Sequence, residues 1–129
     1  MNKLDKESVI GISALLIHAA NIDEIYSDHE KDLVKKFINS YLKNEDTDAI
    51  LKMAEDMENN SNQLINYTNI IKQNSTEIKK DIIEHLWKVI ISDNKVDQYE
   101  SNLMRRVCGL IYFPDKESAE IKLKLLNTK

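Results

Sequence analysis

Two eight-residue stretches carry the side chains best suited to chemistry: Asp23-Glu24-Ile25-Tyr26-Ser27-Asp28-His29-Glu30 and Asp93-Asn94-Lys95-Val96-Asp97-Gln98-Tyr99-Glu100. Asp23 precedes Asp93 by 70 residues, and Glu30 precedes Glu100 by the same 70. Each stretch opens on Asp, has an apolar residue at the fourth place and a helix-capping residue at the fifth, and ends on Glu. Carboxylates are hard oxygen donors, so the chemistry on offer is coordination of a divalent cation. The candidate ligands are Asp23, Glu30, Asp93, Asp97 and Glu100.

A purely structural role explains part of the same pattern. Ser27 and Asp97 can accept from the unpaired amides that open the next helix. Glu30 and Glu100, three residues on, can reach back to complete a capping box. Each cap contributes about 1 kcal/mol. Tyr26 and Val96 pack into the core on this reading. Asp23 and Asp93 are left over. Each falls at the end of the preceding helix, where its charge opposes the helix dipole by about 0.3–1 kcal/mol. An Asx-turn, a bond to the next helix's amides or a bound cation would compensate. The span from Asp to Glu is too short for an EF-hand loop, and the central glycine of that loop is missing.

These residues resemble the TerB-like family, named for the tellurite-resistance protein TerB. Its signature is Asp-Gly-x-apolar-Ser-x-x-Glu between two helices, commonly in two copies. The first copy matches at Asp23, Tyr26, Ser27 and Glu30. The second matches at Asp93, Val96 and Glu100, with Asp97 in place of Ser. Ala19-Ala20 and Leu86-Trp87 fit the flanking helices, while Glu24 and Asn94 stand where the family has Gly. The resemblance implies an all-helical fold, a part for the acidic residues in metal binding, and a link to chemical stress. A similar domain occurs in a membrane-anchored DnaJ-like co-chaperone, which implies a protein-interaction adaptor as the alternative function.

Little else in the chain suggests catalysis. His18, His29 and His85 fall at unrelated positions of the repeat, and no His-x-x-x-His or Glu-x-x-His pair occurs. No Ser-His-Asp set, Cys-His pair or phosphate-cradling Gly loop is readable. His29 fits an exposed first-turn histidine better than a nitrogen ligand. The expected function is therefore not enzymatic. It is a divalent-cation module, or an adaptor that uses an apolar groove or a charged face to hold a protein partner. A formal charge of −4 with scattered Lys and Arg argues against nucleic acid. Cys108 is the sole cysteine, which excludes an intrachain disulfide and a thiolate cluster and suits a reducing cytoplasm. The apolar run 9–17 follows Asp5 and Glu7, the wrong charges for a signal peptide. No stretch approaches the roughly 18 apolar residues of a membrane span. Any membrane association is expected to be peripheral, through a complex.

The loops need helices to hold them. Gly 2 and Pro 1 in 129 residues, with no Asn-Gly turns, favour an all-α chain. The length fits a single compact domain, 1–129. Apolar 3-4 spacing predicts about seven helices, near 6–22, 28–42, 48–58, 61–72, 75–92, 98–111 and 116–126. Asp5, Asn60, Asn74 and Asp115 are the expected caps of the first, fourth, fifth and seventh. The first and fifth are apolar on most sides and should be central. The matching loops predict an internal repeat, about 8–58 and 78–126, whose two pseudo-symmetric halves are bridged by the fourth helix. Ile121, Leu123, Leu125 and Leu126 are expected to dock the last helix on the core.

Overall fold

The first helix, α1 (Lys6–Asn21), begins where Asp5 Oδ1 accepts the Ser8 amide at 2.7 Å. That bond satisfies one of the unpaired donors of the first turn. Hydrogen bonds from Ser8, side chain first and then amide, hold the Asp5 carboxyl below its usual pKa. Val9, Gly11, Ile12, Ala14, Leu15 and Ile17 are buried and between them lie on every side of the helix. Such a helix can only be central, and α1 packs against α2 (Asp28–Tyr41), α3 (Thr47–Asn60), α4 (Leu64–Lys72) and α5 (Thr76–Ile91).

The structure, a computed structural model, describes residues 4–21, 28–43, 45–60, 64–91 and 98–127. Seven helices and no strand occur among them, the last two being α6 (Gln98–Ile111) and α7 (Asp115–Asn127). α5 is the second axis of the core. Ile82, Ile83, Leu86 and Ile90 are buried along it, and it packs on α1, α2, α4, α6 and α7. α1, α2 and α3 pack on one another, and so do α5, α6 and α7. The bounds of α5 are those of α1 moved on by 70 residues, and those of α6 are α2 moved on by the same 70. α4 packs on both α1 and α6 and so joins the two groups. α1 meets α4 at Gly11, where a Cβ would overlap the end of the Ile70 side chain and require it to turn aside.

Four local expectations need correction. α3 runs on through Asn59 and Asn60, past the end expected at 58, while residues 61–63, where the fourth helix was expected to start after an Asn60 cap, lie outside the described residues. Ser75 caps α5: its Oγ accepts the Ile78 amide at 3.3 Å and its carbonyl the Lys79 amide at 3.0 Å. Asn74 is held back by α4, because its Nδ2 donates to the Ile70 carbonyl at 2.8 Å. The first carbonyl of α7 to accept is that of Pro114, from Ser118 at 3.1 Å, which leaves Asp115 inside the first turn. Leu123 and Leu126 do not dock. They are 58% and 39% exposed, while Ser118 and Ile121 take the inner side of α7.

The end of α6 is built without glycine. Tyr112 takes the left-handed conformation at φ 60°, and the Phe113 amide bonds back to the Cys108 carbonyl at 2.9 Å. This is a Schellman closure with a tyrosine where Gly is usual. Pro114 follows and prevents the helix from continuing.

Candidate functional site

The first acidic stretch is framed by the end of α1 and the start of α2. Glu30 sits in the first turn of α2 and is buried, only 7% exposed. A carboxylate is not held there without polar company, and Glu30 is indeed engaged rather than free. His29 beside it is exposed, as expected of a first-turn histidine. Asp23 and Ser27 lie outside the described residues, as do Asp93 and Asp97. Glu100 is in the first turn of α6, and its side chain is likewise outside the described residues. Among the described residues no group of three or more His, Cys, Asp or Glu side chains is placed to hold a metal ion.

Three polar arrangements occur among the described residues, the first of them beside this frame, and none was readable from the sequence. The first lies beside the first acidic stretch. Asn21, the last residue of α1, donates from Nδ2 to Glu58 Oε2 of α3 at 3.2 Å. His18 Nδ1 stands 3.5 Å from Glu58 Oε1. A pocket of about 250 Å³ opens here, lined by Ile17, Asn21, Lys31, Glu55, Glu58 and Asn59. Both Glu58 oxygens are already engaged, so the carboxylate anchors the end of α1 to α3. Nothing in the spacing of Glu55 and Glu58 along α3 could have placed them beside Asn21 and Lys31, at the facing ends of α1 and α2.

The second joins α2 to α5. Tyr41 Oη donates to Asp81 Oδ2 at 2.6 Å. Burial, and then the bond to Asp81, push the phenol well above its usual pKa, so Tyr41 remains a donor. His85 Nδ1 is 2.8 Å from the Asp81 carbonyl oxygen, which places its proton on Nδ1, and 3.5 Å from Asp81 Oδ1. The His85 and Phe37 rings meet edge to face with centroids 5.1 Å apart. These contacts tie α2 to α5 and work as a clamp between the helices.

The third is internal to the second group. Trp87 Nε1 donates to Ser118 Oγ at 2.9 Å, and Ser118 also bonds the Cys108 thiol. Burial raises the Cys108 pKa; the bond to Ser118 lowers it and the charge of Asp115 raises it. A buried thiol held in its neutral form is a packing residue, not a nucleophile. Lys122 Nζ rests 5.2 Å from the centroid of the Trp87 ring. A groove of about 440 Å³ between α5 and α7 is floored by Ile121 and Leu125 and rimmed by both signs of charge, Lys80, Lys88 and Lys124 against Glu84, Glu117 and Glu120.

Two mutually packed helix triads, a bridging helix and acidic stretches that open α2 and α6 define an all-helical module. The model of the family described as tellurite resistance protein TerB matches residues 10–123, nearly the whole helical array, and the chain belongs to that family. No curated protein and no solved structure matches it. Among the described residues, no helix is long and apolar enough to cross a membrane.

Proposed function

We propose that this TerB module is non-catalytic and binds a divalent cation through the acidic stretches before α2 and α6. The observation that carries the reading is Glu30. It is 7% exposed and already held in the first turn of α2, within the same acidic stretch of sequence as Asp23, so its carboxylate oxygens are fixed in place. The donor set suits a hard cation: Asp23 with Glu30, and Asp93 with Asp97 and Glu100, offer carboxylate oxygens and no thiolate. A bound cation would also neutralise Asp23 and Asp93 where the helix dipole opposes them. The module works in the reducing cytoplasm on this reading, and its link to chemical stress comes from the family.

The test is thermal. Protein freed of metal with a chelator should melt lower than the same protein in millimolar calcium or magnesium, because a ligand of the native state stabilises it by mass action. No rise with calcium, magnesium or zinc would remove the reading. The second reading, a protein-interaction adaptor, is favoured by the groove between α5 and α7. Substituting Ile121 or Leu125 would weaken partner capture without touching any metal response.

A further inference from the structure

α7 carries apolar residues on two sides. Ser118 and Ile121 face inward and are buried, with Leu125 half-buried beside them. At 100° per residue, Ala119, Leu123 and Leu126 fall together on the far side, and all three are exposed. Two exposed leucines in one turn, continuous with a small residue one turn earlier, make an uncovered ridge.

The charges beside that ridge say what covers it. Lys116 and Glu120, both exposed, run along one flank. Suppose a second α7 crosses the first antiparallel, on a twofold axis close to Ser118 and Ala119. Lys116 of each copy then lies at the level of Glu120 of the other. Each flank of a twofold interface meets its own copy reversed, so a plus-minus flank is self-complementary. The small Ala119 sits at the crossing, where close approach is needed. A flank that complements its own reversal is what a second copy requires and an unrelated partner does not.

We infer that the outer face of α7 is a twofold homodimer surface, with a second copy of this chain as its occupant. One 13-residue helix crossing is a small interface, so the dimer is weak and concentration-dependent. Sedimentation equilibrium on the full chain tests it. The mass should climb from 15.0 kDa towards twice that as the protein is taken from micromolar to millimolar. Leu123→Glu should stay monomeric at every concentration, with an unchanged melting curve as the check that it folds. Lys116→Glu and Glu120→Lys should each be monomeric alone, because each sets like charges opposite one another. Mixed in equal amounts, they should associate as a one-to-one heterodimer, since both contacts of the flank then pair opposite charges. A wild type that stays monomeric throughout overturns the inference. So does a dimer indifferent to Leu123→Glu, or a mixture that associates no better than either variant alone.

Discussion

Replacing Ser13 with alanine should make the protein more stable. Ser13 lies in the middle of α1 with none of its surface exposed, and its Oγ has no hydrogen-bond partner among the described residues. A hydroxyl buried without a partner costs about 1–3 kcal/mol. Alanine adds up to roughly 0.5 kcal/mol of helix propensity. The void left by one oxygen atom takes part of that back, so the net gain is about 1–2 kcal/mol. Unfolding entropy near 2.1 cal/mol/K per residue, over 129 residues, turns this into a midpoint rise of about 4–7 °C. Thermal melts followed by circular dichroism would read it. Urea titration should show the same gain with an unchanged slope. A midpoint that stays put or falls would refute the reasoning, because it would mean the hydroxyl is satisfied in the folded protein.

Other perturbations follow from the same bonds. Tyr112→Gly should be more stable than Tyr112→Ala by about 1 kcal/mol, because only glycine adopts φ 60° without strain and both variants lose the contact of the ring with Lys72. Equal denaturant midpoints for the two would show that the closure of α6 carries no strain. Ser118→Ala should cost about 1–3 kcal/mol by stranding the buried Trp87 indole proton. A double-mutant cycle with Trp87→Phe should then show coupling of about 1 kcal/mol, and strict additivity would contradict it. For Tyr41, the folded protein holds the phenol proton more tightly than the unfolded chain does. Its contribution is complete below the usual tyrosine pKa near 10 and is lost as pH rises through the higher folded value. Between about pH 10 and 12 the wild type should therefore lose stability more steeply than Tyr41→Phe, by denaturant titration at each pH.

The helices were legible because their signals are local. Apolar spacing, Asp5 before 6–21 and the 70-residue offset are properties of neighbouring residues or of direct self-comparison. The errors fell where two local signals compete. Asn74 and Ser75 are both good caps, and only the pull of the Ile70 carbonyl decides between them. The third helix was expected to end at 58 because two asparagines follow, yet α3 carries on through them. Leu123 and Leu126 read as core because they are leucines, although they point away from the inner stripe of Ser118 and Ile121. The candidate site was legible as a pair of motifs, of which the described structure reaches Glu30. What surrounds that frame was not legible. Glu58 meeting Asn21 and His18, and Tyr41 meeting Asp81, join residues 37 and 40 positions or more apart, which only packing brings together.

The central claim is that the acidic stretches bind a cation, and Asp93 is the residue on which it turns. Asn94 can take the left-handed backbone that the family's Gly supplies, whereas Glu24 takes it poorly. Asp93 should therefore matter more than Asp23. The measurement is a calorimetric titration of the chelator-treated chain with calcium, magnesium and zinc, repeated on Asp93→Asn and Asp23→Asn. The amide keeps the size and most of the turn bonding of the carboxylate and removes its charge. The wild type should show saturable binding. Affinity should fall at least about tenfold in Asp93→Asn, a loss of about 1.4 kcal/mol, and by less in Asp23→Asn. Absence of saturable binding at millimolar metal, or binding untouched by Asp93→Asn, would contradict it.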